Sequence, residues 1–266
     1  MHLPAADSAF SGTFLRAVLW DMDGTIVDTE PYWIAAERAL VEAHGGTWSH
    51  SQALQLVGQS LVFSAGILQE AGVALSVREI IDTLTDTVVA RVRENVPWRP
   101  GARELLDQLH SAGIRCALVT MSEEPLAREV VAALPAPYFE FLVTGNQVTQ
   151  GKPHPEAYHS AVATLQRTDP ALTLHHCVAI EDSVPGVAAA VASGVVTVAV
   201  PHIIALPEDS RHAMWDTLAG RTVADLEALA AQRHSSALPE AGGPAAESGR
   251  EAGPSRTESS PGVQRG

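Results

Sequence analysis

Apolar and polar positions alternate along the chain in two different rhythms. Residues 16–20 (RAVLW), 116–119 (CALV), 139–143 (FEFLV), 177–180 (CVAI) and 195–200 (VVTVAV) are short, nearly continuous apolar runs. Between them lie stretches with helical spacing, at 101–112, 125–134, 155–166, 184–193 and 222–233. Gly113 stands where the first of these should stop and Pro155 where the third should start, as expected for helix ends. Unbroken apolar strands alternating with helices predict a parallel sheet with helices on both faces, an α/β, Rossmann-like core. Residues 31–95 break the rhythm. They hold only helical patterns, at 31–43, 51–57, 61–71 and 77–94, punctuated by Gly45, Gly46, Gly58, Gly66 and Gly72. The expected organisation is a flexible leader over 1–14, a core over 15–30 and 96–233, an inserted all-helical unit over 31–95, and a disordered tail over 234–266, which is rich in Gly, Pro, Ala and Ser.

Composition narrows the function. The formal net charge is −14, which disfavours nucleic acid and anionic membranes as partners, since both need a basic surface. The apolar runs fall short of the ~18 residues of a membrane span. The N-terminus, MHLPAADSAFSG, lacks the basic start and apolar stretch of a signal peptide, so a cytoplasmic location is expected. Cys116 and Cys177 each open an apolar run and read as buried free thiols. Of the 17 basic residues, sixteen are arginine and one, Lys152, is lysine.

In a doubly wound sheet, ligands bind beyond the C-terminal ends of the strands. Four polar groups fall there: Asp21-Met22-Asp23-Gly24-Thr25, Thr120-Met121-Ser122, Gly151-Lys152-Pro153 and Glu181-Asp182-Ser183. Each has a bland reading: a solvated turn, a helix cap, a surface lysine, an acidic helix start. All four at successive strand ends point to one site. Converging carboxylates require a cation, and oxygen ligands favour Mg²⁺. Beside a cation and Lys152, the Asp21 carboxylate can attack phosphorus. Asp23 can protonate the leaving alcohol and later activate water. Thr120 and the amides of Met121 and Ser122 can hold phosphate oxygens, with Ser122 read as opening a helix. Gly24 and Thr25 are placed with them as phosphate-binding positions. Lysine suits the charge-balancing role because it is a compact point charge, unlike the planar fork of arginine. The stretch from Gly145 to Pro153 imitates a nucleotide-binding P-loop. It has five residues between its glycines instead of four, and proline where Ser or Thr is needed. His154 lies beside Lys152 and reads as a loop histidine, His202 follows the last strand at the functional end, and His175-His176 lacks metal-ligand spacing.

These four motifs, in this order over about residues 16–205, resemble the haloacid dehalogenase (HAD) superfamily. The resemblance implies Mg²⁺-dependent phosphoryl transfer through an aspartyl-phosphate, with Asp21 as nucleophile and Asp23 as general acid/base. It implies Mg²⁺ held by Asp21, the Asp23 backbone carbonyl and Asp182, with Glu181 in support. The insertion resembles a subclass I cap, hinged near 28–31 and 96–100, and the whole is similar to the β-phosphoglucomutase and phosphoglycolate phosphatase branch. Trp20 and Met121 depart mildly from the pattern. The insertion holds no lysine, its Arg38, Arg78, Arg91 and Arg93 read as solvated, and Gly58-Gln59-Ser60 is uncharged. The expectation is a phosphatase acting on a small phosphorylated metabolite, such as a sugar phosphate. A phosphosugar mutase and a non-enzymatic binding protein on the same scaffold are the alternatives. Oligomeric state is not legible.

Overall fold

The computed structural model describes residues 14–237; most of the expected leader and tail lies outside that range. Six parallel strands form one sheet in the order β3-β2-β1-β4-β5-β6. They are β1 (Ala17–Trp20), β2 (Arg115–Val119), β3 (Phe141–Val143), β4 (Cys177–Glu181), β5 (Val196–Ala199) and β6 (Ala213–Met214). The short β6 has no apolar run of its own and was not expected. Strand β1 lies between β2 and β4, which puts the topological switch point, and the crevice it opens, at the tip of β1.

Side chains alternate across the sheet. Ala17, Leu19, Ala117, Val119, Cys177 and Ala179 face α7 (Glu156–Gln166) and α8 (Val184–Ser193). Val18, Trp20, Cys116, Leu118, Val178 and Ile180 face the other way, onto α5 (Ala102–Ser111), α6 (Glu124–Ala132) and α9 (Val223–Ala237). Both cysteines are buried and free, and burial pushes both thiols up to about 12. Two expected boundaries shift. Helix α9 runs on to Ala237, into the stretch read as tail. Phe14 and Leu15 are tied down by their amides, which donate to the Glu227 carboxylate at 2.6 and 3.0 Å.

Residues 30–94 contain helices and no strand: α1 (Glu30–Ala43), α2 (His50–Ala53), α3 (Leu61–Glu70) and α4 (Val77–Glu94). Ser49, Ser60 and Ser76 each accept a first-turn amide, which explains where these helices begin. Helix α2 is shorter than expected, and residues 54–58 continue as turns. The two connections to the core lie side by side. Val27 bridges Trp98, Asp28 N–H donates to the Pro97 carbonyl at 2.7 Å, and Arg99 N–H donates to the Ile26 carbonyl at 2.8 Å.

The arginines read as solvated are partly engaged instead. Arg78 on α4 forks onto Glu123 just before α6, at 2.7 and 2.8 Å. Arg93, about four turns further along α4, pairs with Glu129 of α6. Solvent exposure of the helix face was legible in the sequence; the opposing acids belong to a helix of the core.

Candidate active site

Strand parity assembles the floor of the crevice. Positions 17 and 19 point towards α7 and α8, and so do 177 and 179. Continuing the alternation puts Asp21 and Glu181 on that face, and the register joins them: Trp20 pairs with Ile180, and Asp21 N–H donates to the Ile180 carbonyl at 3.0 Å. The loop before α7 brings Lys152 to the same point. Its Nζ meets Asp21 Oδ1 at 2.6 Å, Glu181 Oε1 at 2.6 Å and the Val119 carbonyl at 2.8 Å. An ammonium has three hydrogens, and all three are placed.

Three buried carboxylates, Asp21, Glu181 and Asp182, offer ligand oxygens within 4.8 Å of one another. One buried ammonium faces them, so the cluster keeps a surplus of negative charge. The acids respond accordingly. Burial, then repulsion from Glu181, pushes Asp21 up to about 7 against the pull of Lys152. Burial and the neighbouring Asp21 and Glu181 push Asp182 well above the usual carboxylate range. Burial would lower Lys152, but Asp21 and Glu181 outweigh it and hold its pKa above the ordinary value. Glu181 Oε2 is buried with no hydrogen-bond partner among the described residues. An oxygen-only, over-negative cluster with an orphaned acceptor fits a hard divalent cation.

Two glycines make room for these acids. Gly24 has φ +85°, and a Cβ there would collide with the Asp182 carboxylate. A Cβ on Gly186, in the first turn of α8, would collide with Glu181. Thr25 Oγ1 donates to Asp182 Oδ1 at 3.0 Å, so Thr25 positions an acid rather than reaching outward. The Gly24 and Thr25 amides donate to the Val27 and Met22 carbonyls. Both amides are thus bonded within the loop, and the Thr25 hydroxyl holds Asp182.

Asp23 points the other way, between β2 and α1. Ser122 Oγ and Thr120 Oγ1 donate to Oδ2 at 2.7 and 3.3 Å. Thr29 Oγ1 and Trp33 Nε1 donate to Oδ1 at 2.5 and 3.2 Å. Ser122 does not open a helix: α6 begins at Glu124. The Thr120 amide donates to Val143 and the Ser122 amide to Thr120 Oγ1. No bond to the Met121 N–H is found among the described residues. The Met121 side chain has a function the sequence did not suggest, since its Sδ accepts the Lys152 amide at 3.2 Å.

The cleft over this floor holds about 60 Å³ and is bounded from the insert by Trp33, Glu37, Gly58, Gln59 and Leu61. A Cβ on Gly58 would stand 2.5 Å from the Ser183 Cβ, so the insert presses directly on the loop after β4. Tyr158, whose hydroxyl donates to Glu181 Oε1, escaped notice because its position on α7 reads as ordinary core. Glu30 falls in the stretch read as a hinge and Glu37 in a plain helical pattern, so neither stood out as a site residue. Both are buried. Burial and the charge of Asp23 push Glu30 up to about 8, and burial pushes Glu37 up to about 7. Of the histidines, His154 is exposed and accepts the Glu156 amide. His202 meets Asp28 Oδ1 at 2.7 Å, beside the connection to the insert.

The family model for haloacid dehalogenase-like hydrolases matches residues 15–194. The chain belongs to that family. It is 33% identical over 199 residues to hexitol phosphatase A of Escherichia coli, covering 70% of this chain and 82% of that one. It is 31% identical over 186 residues to a phosphorylated carbohydrates phosphatase of Thermotoga maritima, covering 68% and 82%. A crystal structure of a CbbY variant from Rhodobacter sphaeroides with xylulose-(1,5)-bisphosphate shares the fold, with TM-score 0.72, 24% identity and coverage of 80% of this chain and 99% of the other. The chain is a HAD-type phosphoric monoester hydrolase. No helix among the described residues is long and apolar enough to cross a membrane.

Proposed function

We propose that the chain hydrolyses a small phosphomonoester of the sugar-phosphate class, in the cytoplasm, through an aspartyl-phosphate on Asp21 and with Mg²⁺. The observation that carries this reading is the buried, over-negative cluster around Lys152 at the tip of the central strand. Asp21, Asp182 and Glu181 would hold the cation, with the Asp23 carbonyl as a further ligand. When bound, it would offset the clustered acids and polarise the phosphoryl oxygens.

An Asp21 oxygen forms a bond to phosphorus as the ester P–O bond breaks. Asp23 gives its proton to the departing alkoxide, which leaves as an alcohol. Water then attacks the phosphoryl group, Asp23 takes the proton, and the P–O bond to Asp21 breaks to release phosphate. Lys152 keeps Asp21 in place and ionised. Thr120 and Ser122, whose hydroxyls rotate, turn from Asp23 to the phosphoryl oxygens in the substrate complex, joined by the Met121 N–H. Residues 31–95 act as a cap that must lift to admit substrate into so small a space and then closes to exclude water.

The test is phosphate release from a panel of sugar phosphates with and without Mg²⁺, with acid-stable capture of phosphorylated protein. Loss of turnover on chelation, its return with Mg²⁺ and its absence in Asp21→Asn are expected. Full turnover by Asp21→Asn overturns the mechanism. Isomerisation of β-glucose 1-phosphate without phosphate release overturns the phosphatase reading in favour of a mutase.

A further inference from the structure

Helix α1 carries Trp33 and, one turn on, Glu37 on the same face, and both line the cleft above Asp21 and Asp23. Trp33 is spoken for, since its Nε1 donates to Asp23. No ion pair to Glu37 is found among the described residues. Its Oε2 accepts a hydrogen bond from Trp48 Nε1 at 3.3 Å, which fixes the carboxyl, and no donor to Oε1 is found among the described residues. It is 5% exposed, so what it can meet lies in the cleft. The other residues that bound the cleft from the insert are Gly58, Gln59 and Leu61, none of them charged. The cleft's positive charge is Lys152, already held by three acceptors on the floor.

We infer that Glu37 is a specificity-determining residue: it accepts a hydrogen bond from a hydroxyl of the leaving group and bars a leaving group that carries a second phosphate or a carboxylate. The inference rests on the phosphatase reading and narrows its substrate to a neutral, hydroxylated monophosphate. A fixed buried acceptor is satisfied by an alcohol, and Gln59 beside it can both donate and accept. A second anion at that wall would meet a carboxylate instead of a cation, and such like-charge opposition is an effective means of rejection.

Fructose 6-phosphate and fructose 1,6-bisphosphate differ by one phosphate on the same skeleton, and 2-phosphoglycolate supplies the carboxylated case. kcat and KM are measured for all three with Mg²⁺ at pH 8, where Glu37 is ionised because burial pushes it up to about 7. The wild-type protein is expected to favour the monophosphate over the bisphosphate and over phosphoglycolate by about 100-fold in kcat/KM. Glu37→Gln keeps the shape and the bond to Trp48 but not the charge. It is expected to narrow both ratios by about tenfold, chiefly through KM, and Glu37→Asp to restore them in part. A role confined to packing against Trp48 would lower all three substrates together and leave the ratios alone. Unchanged ratios in a folded Glu37→Gln, or a wild-type protein that takes the bisphosphate as readily, overturn the inference and leave the phosphatase reading standing. Absence of phosphate release from every substrate, 4-nitrophenyl phosphate included, removes both.

Discussion

The floor and the roof of the cleft are both acidic, but they handle charge differently. On the floor, Asp21 and Glu181 share the ammonium of Lys152, whose three hydrogens are all bonded, and two glycines leave the carboxylates just enough room. Around the roof, Glu30 and Glu37 are buried with no cation in contact among the described residues, and burial, with the charge of Asp23 beside Glu30, pushes them up to about 8 and about 7. On the proposed reading, the floor would hold a cation and the phosphoryl group, and Glu37 in the roof would turn a second anion away. Placing both along one cleft separates the chemistry, which needs ions, from recognition of a neutral leaving group.

The largest effect should come from the floor. Asp21→Asn removes the proposed nucleophile and is expected to lower kcat by about 10⁴-fold or more, with the circular dichroism spectrum retained. Next come the glycines. Gly24→Ala and Gly186→Ala each push a methyl group into an acid of the cluster, and Gly24 also requires a positive φ. Weakening of Mg²⁺ binding by about 10- to 100-fold is expected, read by calorimetry without substrate; unchanged affinity would mean that Asp182 and Glu181 do not hold the ion.

Beyond its effect on substrate choice, the roof should show itself in stability. The folded protein holds the Glu30 and Glu37 protons to about 8 and about 7, whereas 4.5 is the ordinary value. Over that window these two groups bind more protons in the folded state than in the unfolded chain, so their contribution to stability is largest at low pH and is lost as pH rises through these values. Urea melts between pH 5 and 8.5 should show the decline. Glu37→Gln should flatten it by about 1 to 3 kcal/mol. The smallest effect belongs to the contact between roof and floor. Arg78 and Arg93 are more than half exposed, so Arg78→Ala should cost no more than about 1 kcal/mol and Arg93→Ala should leave stability nearly unchanged. Their effect on turnover should shrink as salt is added.

Much of the floor was legible because a strand leaves its chemistry at its end. Asp21, Lys152, Glu181 and Asp182 each follow or flank a short apolar run, and a parallel sheet brings such ends together. The solitary lysine in an arginine-rich chain pointed to the same place. The roof was less legible. Glu30, Trp33 and Glu37 share one face of a helix whose spacing suits a solvated surface, and nothing local says that another layer covers it. Tyr158 was hidden for the opposite reason: a tyrosine on the buried face of a helix reads as core, and its hydroxyl gains meaning only from Glu181 across the sheet.

By itself the sequence determined the kind of fold, the order of the strands' polar tips and the helical character of residues 31–95, because apolar periodicity and turn residues act over a few positions. Only the tertiary structure decided which oxygens Lys152 bonds, that Thr25 serves Asp182, that Arg78 and Arg93 reach α6, and that Glu37 looks into the cleft. Those outcomes depend on strand register and on which helix face lies against which neighbour, and both are settled by packing between segments far apart in the chain.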